Sequence, residues 1–431
     1  RMIPLRREFL KTTAAAAATI LTTAPSLDAS VRNDQPLRIG VIGCGGMGSN
    51  HVRTLSKRRD EQIAWVCDVD TEKLAAAAKI VLEGNGKTPQ TTGDLRKILD
   101  DPSIDAVFIA TPDHWHTPAA ILALDAGKHV YVEKPCCHNI REGRLLAKAV
   151  ERSGKRLQVG TQSRSTGCVT DGIERIRNGE IGEILVAKAW NSQRRSSIGK
   201  SQPGTPPPQL DFDTWLGPAP VVPWRPNLLH SVWRWWYDFG CGDIGNDGVH
   251  DIDVALWGLG VETHPSRVTC FGQKNYFDDD QQFPDTQYAV CEYPLADNSG
   301  RCKQLIFEQR IWSPYVQEGY ENGAAFYGTE GVLIMGHTSG WKLYGPRNKL
   351  LAEMTDEVGE LVLRDNYLQT GTLALAEAGA VHLVDWEARQ IKSLEKSGRL
   401  NRAIEFLPSD ETIAERKLAK RGLTSPEHAV L

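Results

Sequence analysis

The chain has 431 residues, of which 41% are hydrophobic and 24% are charged, and its formal net charge is −4 at pH 7. A chain of this length can bury two or three hydrophobic cores, and without a basic excess it cannot neutralise a run of nucleic-acid phosphates, so no nucleic-acid partner is expected. The nine cysteines are odd in number and include no C-x-x-C pair, so neither a disulfide framework nor a metal site is expected.

The first 35 residues predict an export signal and linker. Arg6 and Arg7 precede a short charged stretch and then an apolar run from Ala14 to about Ala24, which is too short to span a bilayer. The pattern resembles a twin-arginine signal, so we expect residues 1–35 to direct the protein to the periplasm, without stable membrane insertion. The alternative is an amphipathic first helix, although a run of alanine and threonine has no charged face to present to water.

An apolar strand, a glycine-rich turn and a helix follow from Leu37, and this order predicts a dinucleotide-binding domain over residues 36–158. In the turn, the first glycine permits the sharp bend, the second lets the backbone approach a pyrophosphate, and the third lets the helix pack against the strand. The helix N-terminus behind the turn attracts phosphate charge. The predicted phosphate-binding residues are Gly43, Gly45, Gly46, Met47 and Gly48.

The next apolar strand ends at Asp68, about 20 residues after the last glycine of the turn. A carboxylate at this position accepts hydrogen bonds from the ribose hydroxyls of NAD and repels the 2′-phosphate of NADP. No arginine follows Asp68 immediately to bind a 2′-phosphate, and Lys73 is the nearest basic residue. NAD is therefore the expected cofactor, and NADP is less favoured. The alternative role of Asp68 is a cap at the end of the strand.

Strands and helices continue to alternate up to about residue 158, which predicts a doubly wound parallel sheet with its ligand at the carboxyl ends of the strands. One strand leads directly into the sequence TPDHWH, which is therefore expected beside the ligand. Within it, Thr111, Pro112, His114 and His116 are candidate cofactor contacts. For the two histidines a turn-capping role is an equally good interpretation.

Three motifs, ATPDHWHTPAA, AGKHVYVEKP and GDIGNDGVHDIDVALWGLG, resemble in this order the family of glucose-fructose oxidoreductase, inositol dehydrogenase and their relatives. The resemblance runs from about Leu37 to Gly345. It implies an NAD-dependent oxidoreductase acting on CH–OH groups, in which the Rossmann domain is followed by an α/β domain over residues 159–345. The open, mainly antiparallel sheet of that second domain would form the floor of the substrate cleft and a homo-oligomer interface.

The resemblance implies that Lys134 of the E-K-P motif lies beside the nicotinamide and the substrate hydroxyl, with Glu133 next to it in the cofactor site. An ammonium near a carbinol stabilises the alkoxide that develops as hydride leaves, and burial lowers the pKa of a lysine from about 10.4 toward neutral pH. The alternative is a surface lysine at the end of a strand.

The sequence GNDGVHDIDVALW predicts a helix because Asn246, His250, Asp253 and Trp257 recur at spacings that place them on one face. The resemblance implies that His250 is the general base, and the family usually carries an aspartate where this chain has Asn246. An amide can fix one tautomer of the imidazole but cannot stabilise the imidazolium, and Asp247 points about 100° away around the helix. The alternative for His250 is a buried histidine with satisfied hydrogen bonds.

Aromatic and polar residues cluster immediately before this helix, in HSVWRWWYDFGCGD. Flat apolar rings beside polar groups suit a sugar, whose C–H face stacks while its hydroxyls form hydrogen bonds. The alternative is that the rings form core or a subunit interface. Gln162 and Arg164, after the strand that leaves the nucleotide domain, are expected at the cleft entrance. The other candidate substrate contacts are Trp236, Tyr237, Asp247 and His250.

Past about Arg347 the sequence changes character and resembles a helical segment of the large bacterial NAD-specific glutamate dehydrogenases. Residues 346–431 are therefore predicted to form a helical tail. The likeness includes no nucleotide or glutamate site, so we carry over no activity. A fusion or assembly artefact is the leading explanation, in which case the substrate domain lacks the closing helix with which the family normally ends.

Export and a cytoplasmic cofactor are compatible because the twin-arginine route carries folded proteins, which can be loaded with NAD beforehand. Free NAD is scarce outside the cytoplasm, so the sequence predicts an exported oxidoreductase that holds its nicotinamide tightly and exchanges hydride with a sugar carbinol carbon. One alternative is NAD-dependent glycoside hydrolysis by oxidation and elimination. Another is a non-catalytic sensor of NAD or sugar.

Overall fold

The structure is a computed structural model, and it describes residues 36–354 except Ala296, Asn298, Pro314 and Gln317. The predicted signal therefore lies outside the described residues, as does the predicted tail beyond residue 354. Among the residues that are described, no helix has the length and apolar character needed to cross a membrane.

Six parallel strands form the first sheet, in the spatial order β3-β2-β1-β4-β5-β6. They are β1 (Leu37–Ile42), β2 (Glu61–Cys67), β3 (Gln90–Thr92), β4 (Ala106–Ile109), β5 (His129–Val132) and β6 (Leu157–Val159). The helices between them are α1 (Gly46–Leu55), α2 (Thr71–Asn85), α3 (Arg96–Leu99), α4 (Asp113–Asp125) and α5 (Ile140–Ser153). The predicted doubly wound parallel sheet is confirmed. The strand order reverses between β1 and β4, and a crevice at this point is where such sheets bind ligands.

Local sequence explains these elements. The strands β1 and β4 are almost continuously apolar because helices cover both faces of a parallel sheet. Helix α2 begins at Asp70, whose side chain accepts hydrogen bonds from the backbone N–H groups of Glu72 and Lys73, and it ends at Gly86, which is left-handed with φ of 75°. The domain boundary predicted after residue 158 falls inside β6.

Eight strands form the second sheet, in the order β14-β13-β12-β11-β7-β10-β9-β8. They are β7 (Ile184–Asn191), β8 (Arg267–Gln273), β9 (Thr286–Pro294), β10 (Cys302–Arg310), β11 (Asn322–Gly328), β12 (Val332–Gly336), β13 (Trp341–Gly345) and β14 (Lys349–Met354). Strand β7 runs parallel to β10, and the other neighbouring pairs are antiparallel. The mainly antiparallel second sheet is thus confirmed.

Two long helices of the second domain, α6 (Gly167–Arg177) and α8 (Val249–Leu259), pack on one face of this sheet. The short helix α7 (Phe212–Leu216) lies in the long segment between β7 and α8. The approach of α8 is close, since a Cβ added at Gly258 would lie 2.2 Å from the ring of Phe326. The buried side chains of this core include Val169, Ile173, Ala187, Phe307, Leu333 and Trp341. On the edge strand β8 every residue is exposed.

The prediction of a helical tail is wrong for residues 346–354, which are the part of the tail that the structure describes. Residues Pro346–Asn348 form a single 3-10 turn, and Lys349–Met354 form β14, which pairs antiparallel with β13. A strand forms here because the backbone groups of β13 are available for pairing along that edge, and tertiary pairing overrides a helical local preference. The rest of the tail lies outside the described residues.

Candidate functional site

A cavity of about 950 Å³ lies at the carboxyl ends of the first-sheet strands. The predicted residues that line it are Gly43, Gly45, Gly46, Met47, Asp68, Thr111, Pro112, His116, Glu133, Lys134 and Asn246. Second-domain residues, including Trp215, His230, Trp233 and Arg234, line it as well. Its volume is at the upper end of the range for ligand pockets, about 300–1,000 Å³. Segments far apart in sequence therefore meet around one cavity.

The glycine turn has the geometry of a phosphate cradle. Gly43 is left-handed with φ of 87°, and a Cβ there would lie 2.7 Å from the Ala110 carbonyl carbon. A Cβ at Gly48 would lie 1.8 Å from the Gly43 carbonyl oxygen, so only glycine permits this contact of helix and turn. At Gly45 and Gly46 an added Cβ meets no atom within 4 Å, so the backbone there is open to the cavity. Helix α1 begins behind the turn without a side-chain cap, which leaves its N-terminus available to an anion.

Asp68 accepts hydrogen bonds from backbone N–H groups near the end of its strand, as the capping alternative predicted, and it also lines the cavity. Its Oδ2 accepts a hydrogen bond of 2.7 Å from the backbone N–H of Cys44, and its Oδ1 accepts one of 2.9 Å from that of Asp70. Burial raises the pKa of this carboxyl above its ordinary value. Each carboxylate oxygen retains acceptor capacity, and the side chain lines the cavity where ribose hydroxyls are expected.

Lys134 follows β5 and connects the two domains. Its half-buried ammonium donates a hydrogen bond of 2.6 Å to the backbone carbonyl of Asn246 in the second domain. The ring of His116 contacts the carbonyl oxygens of Pro135, at 2.7 Å from Nδ1, and of Thr111, at 2.8 Å from Nε2. His116 therefore clamps the TPDHWH segment to the E-K-P segment, in agreement with a backbone-capping role.

His114 does not line the cavity. Its ring packs against Trp215 and Phe239, with Nε2 3.0 Å from the carbonyl oxygen of Trp215. Burial lowers the pKa of His114 to about 4, so the imidazole is neutral near pH 7. The structure places this predicted cofactor contact at the junction between the domains, where backbone carbonyls of the second domain surround it.

A buried polar network supports the E-K-P segment from beneath. Glu133 Oε1 lies 2.9 Å from His51 Nε2 and accepts a hydrogen bond of 3.0 Å from Gln162, which also donates to the hydroxyl of Tyr131. Although burial opposes ionisation, His51 and Lys134 hold the pKa of the Glu133 carboxyl below its ordinary value. Gln162 is only 4% exposed, so its predicted position at the cleft entrance is wrong. Sequence reasoning missed His51, whose one signal is its place on the buried face of α1.

The predicted pairing of Asn246 with His250 does not form. Residues Ile244–Gly248 make a π turn before α8, and this wider turn removes Asn246 from the position one α-helical turn before His250. The Asn246 amide instead donates a hydrogen bond of 2.9 Å to Asp243. His250 is buried, and its Nδ1 has no hydrogen-bond partner. It is not among the described residues that line the cavity, so its predicted direct contact with the substrate is not seen there.

His337, which the sequence did not indicate, occupies the place next to His250. The two rings are edge to face with centroids 4.9 Å apart, and His337 Nδ1 lies 3.1 Å from Oδ1 of the buried Asp251. Burial, His337 and Lys134 lower the pKa of His250 well below its ordinary value, which keeps the imidazole neutral. Burial raises the pKa of Asp251 to about 6.

Two predicted substrate contacts are engaged in ion pairs. The guanidinium of Arg195 forks onto Asp243 at 3.1 and 3.0 Å and also contacts Asp247, so the Asp247 carboxylate has a protein partner. Arg164 binds both carboxylate oxygens of Asp253, at 2.7 and 2.9 Å. Neither Asp247 nor Arg164 is among the described residues that line the cavity.

Of the aromatic residues predicted to stack on a sugar, only some lie at the cavity. Trp236 donates its ring N–H to the carbonyl of Asn227 at 3.1 Å. Tyr237 is 54% exposed, and its ring contacts that of Phe283. Neither residue lines the cavity. Trp215 and Trp233 line it instead. Trp236 packs against a hydrophobic cluster, as the core alternative predicted. The rings that could stack on a sugar in the cavity are those of Trp215 and Trp233.

Comparisons with known proteins agree with this architecture. Residues 37–161 match the model of an oxidoreductase family with an NAD-binding Rossmann fold, and residues 189–291 match the C-terminal α/β domain of the same family. A solved structure of levoglucosan dehydrogenase with NADH and levoglucosan shares the fold, with a TM-score of 0.58 and 21% identity, over 79% of this chain and 90% of the other.

Curated relatives match in parts. A glycosyl hydrolase family 109 protein of Shewanella pealeana is 30% identical over 205 residues, which are 43% of this chain and 45% of that protein. Inositol 2-dehydrogenase 2 of Saccharopolyspora erythraea is 29% identical over 263 residues, 59% of this chain and 63% of the relative. The chain thus spans about half the length of the first of these curated relatives.

A separate likeness confirms the second resemblance seen in the sequence. An NAD-specific glutamate dehydrogenase of Halomonas elongata is 52% identical over 85 residues, which are 20% of this chain but only 5% of that protein. This short match carries no fold or activity to the two described domains. Their own matches together cover more than half of the chain, which therefore belongs to the Gfo/Idh/MocA oxidoreductase family, with an NAD-binding Rossmann domain and the family's C-terminal α/β domain.

Proposed function

We propose that this protein is an NAD-dependent oxidoreductase that transfers a hydride between a sugar carbinol carbon and a nicotinamide bound in the cavity. The observation that carries the proposal is that one cavity reaches from the glycine turn and Asp68 to the half-buried ammonium of Lys134. Two relatives by sequence or fold are named for inositol and levoglucosan, which are both polyhydroxylated rings.

The residues present fit NAD. The open backbone of Gly45 and Gly46 at the start of α1 would hold the pyrophosphate, and Asp68 would accept the ribose hydroxyls. The nicotinamide would then lie near Pro112 and Lys134, which line the same cavity. When bound, NAD supplies the hydride acceptor.

Lys134 and His250 would have separate roles in the oxidation of the carbinol. An ammonium has three N–H donors, and Lys134 uses one on the Asn246 carbonyl, so others can bind the oxygen of the substrate carbinol and stabilise its developing negative charge. His250, kept neutral by burial, would receive the hydroxyl proton. Asn246 provides no counter-charge for the imidazolium.

Replacement of Lys134 tests the proposal. We expect Lys134→Ala to lower turnover by about 10²–10⁴ in an assay that follows NADH formation with a panel of sugars and polyols, while NAD affinity stays within about 3-fold. Lys97→Ala, an exposed lysine on α3, is the matched control. Full turnover in Lys134→Ala would contradict the mechanism, and a wild-type protein that binds NAD and sugar without turnover would be a sensor.

A second candidate function is NAD-dependent glycoside hydrolysis through transient oxidation and elimination. The observation that favours it is the likeness to glycosyl hydrolase family 109 proteins. Such an enzyme releases the aglycone of a glycoside with no net NADH, whereas a dehydrogenase accumulates NADH from a free sugar. Product analysis with aryl glycosides separates the two.

We further propose that the protein is exported by the twin-arginine route with its nucleotide already bound. The support is the Arg6-Arg7 pair and the apolar run that follows, together with the scarcity of NAD outside the cytoplasm. Arg6→Lys combined with Arg7→Lys should retain the protein in the cytoplasm on cell fractionation. Protein purified without added cofactor should release stoichiometric NAD or NADH on denaturation, as measured by mass spectrometry.

Self-association through the second sheet is also part of the proposal. The edge strand β8 exposes apolar side chains, with Val268 58% and Phe271 65% exposed. An exposed edge strand with apolar residues is a ready surface for pairing with another chain. We propose a homo-oligomer that buries this surface.

A further inference from the structure

Arg234 is a half-buried cation of the cavity wall that forms no ion pair with a carboxylate in the described part of the chain. It lies in the 3-10 turn Val232–Trp235 and lines the cavity together with Lys134 and Asn246. Its guanidinium lies over the ring of Trp233 at 5.2 Å. Its buried Nε makes no hydrogen bond, and among residues 36–354, where they are described, no carboxylate forms an ion pair with it.

The carboxylates in its electrostatic surroundings are already in use. Asp113 accepts a hydrogen bond of 3.1 Å from the backbone N–H of Cys241. Asp243 binds Arg195 and the Asn246 amide, and Asp247 also contacts Arg195. These groups lower the cost of placing a cation at this position, but they do not occupy its N–H donors.

A guanidinium without an ion-pair partner in a half-buried cavity wall is energetically unfavourable unless a ligand or water binds its N–H groups. It has five N–H donors in a planar fork that matches the two oxygens of a carboxylate, and leaving such donors unsatisfied away from water is costly. Lysine would not provide the same two-point geometry. The geometry of the fork therefore points to an anionic ligand group with two coplanar oxygens.

The position relative to Lys134 indicates which ligand carries that group. Lys134, Arg234 and Asp113 line the same cavity, and both cations act electrostatically on the Asp113 carboxyl. The indole of Trp233, which also lines the cavity, offers an apolar face to the C–H side of a ring. A single sugar can thus place its carbinol at Lys134 and a carboxylate at Arg234.

We propose that Arg234 binds a carboxylate of the substrate, so that the preferred substrates of this enzyme are sugar acids such as hexuronates rather than neutral sugars. This inference rests on the proposed oxidoreductase function. It assigns Arg234 as the residue that decides between acidic and neutral sugars.

The test compares matched substrates on the NAD-loaded, full-length protein. Glucuronate and galacturonate are measured against glucose and galactose with the wild type, Arg234→Gln, Arg234→Lys and the control Arg141→Gln, an exposed arginine on α5. We expect the wild type to favour the acids. We expect Arg234→Gln to lower kcat/KM for the acids by about 10- to 100-fold, chiefly through KM, and to change the value for neutral sugars by less than about 3-fold.

Arg234→Lys keeps the charge but loses the fork, so it should recover only part of the preference for acids, and its melting temperature reports whether the turn still folds. Equal losses for acids and neutral sugars, a weakened NAD affinity in Arg234→Gln, or a wild type that favours neutral sugars would each overturn the inference. Equilibrium binding of glucuronate and glucose separates the two proposals. Arg234-dependent binding of glucuronate without turnover would contradict the oxidoreductase function while supporting carboxylate recognition.

Discussion

His250 and His337 show how neighbouring side chains set the charge of a proposed base. Burial, His337 and Lys134 all disfavour the imidazolium form of His250, so its pKa lies well below the ordinary value. His337 is half-buried, and although burial opposes its protonation, Asp251 raises the pKa of His337 above its ordinary value. A positive charge on this pair is therefore favoured on His337 rather than on His250.

This arrangement predicts the pH dependence of the reaction. His337→Asn removes the electrostatic effect of His337 that lowers the pKa of His250, so this pKa should rise. The acidic limb of kcat/KM should then move to higher pH, because the protonated base is inactive. The measurement is a pH profile of kcat/KM for the wild type and the variant. His264→Asn, at an exposed histidine, should leave the profile unchanged. An acidic limb that stays in place or moves to lower pH would argue against His250 as the base.

Glu61 predicts a pH effect on stability that does not depend on function. Burial raises the pKa of Glu61 to about 8, although Arg58 Nε lies 3.2 Å from its carboxylate. The unfolded carboxyl has a pKa near 4.3, so the folded state binds the extra proton between about pH 4.3 and 8, and the free energy of unfolding falls as pH rises through this window.

We expect Glu61→Gln to remove this loss. At pH 8 the variant should be more stable than the wild type by about 3–5 kcal/mol, and near pH 4, below the pKa of the unfolded carboxyl, the two should be nearly equal. Arg58 retains Asp60 at 2.7 Å in either case. Denaturant titrations at the two pH values measure the difference, and a variant that is less stable at pH 8 would show that the ion pair with Arg58 outweighs burial.

At the scale of elements, the glycine turn and α1 could be predicted almost residue by residue. The requirement for glycine is local, since it arises from a left-handed φ at Gly43 and a close contact at Gly48. The helix that carries His250 was predicted less well. Its π turn depends on packing against other segments, since a Cβ at Gly248 would lie 2.8 Å from the ring of Phe307.

The same substitution is expected to have different effects at two glycines of the turn. Gly46→Ala places its methyl group in open space beside the cavity, so we expect unchanged stability but weaker NAD binding. Gly48→Ala drives a methyl group against the Gly43 carbonyl, so we expect a loss of about 1–3 kcal/mol of stability as well. Thermal melting and NAD titration measure the two properties. A destabilised Gly46→Ala with normal NAD affinity would contradict the cradle.

At the scale of the whole molecule, the site exists because the two domains meet around one cavity. Lys134 of the first domain donates to the Asn246 carbonyl of the second, and the ring of His114 lies against the Trp215 carbonyl. The second domain also contributes Trp233 and Arg234 to the lining. The proposed hydride transfer between a sugar and NAD would require both domains in this arrangement.

The exposed strand β8 predicts the state of association. If the proposed oligomer buries this strand, Phe271→Lys should place a charge in an apolar interface and dissociate it. Sedimentation at matched concentrations measures the mass of each species. Leu145→Lys, at an exposed leucine of α5 in the first domain, is the control. A wild-type monomer, or an oligomer that survives Phe271→Lys, would argue against this interface.

Local spacing in the sequence was enough to predict the strand, glycine turn and helix of the nucleotide domain, Asp68 directly after β2 and Lys134 after β5. The resemblance to a known family added the antiparallel second sheet. Which side chains line the cavity became visible only in the folded chain. Gln162 turned inward to Glu133, and Asp247 paired with Arg195. His337 packs against His250, and Arg234 forms no ion pair with a carboxylate among the described residues. These outcomes depend on contacts between residues distant in the chain, and such contacts leave no periodic pattern in a single sequence.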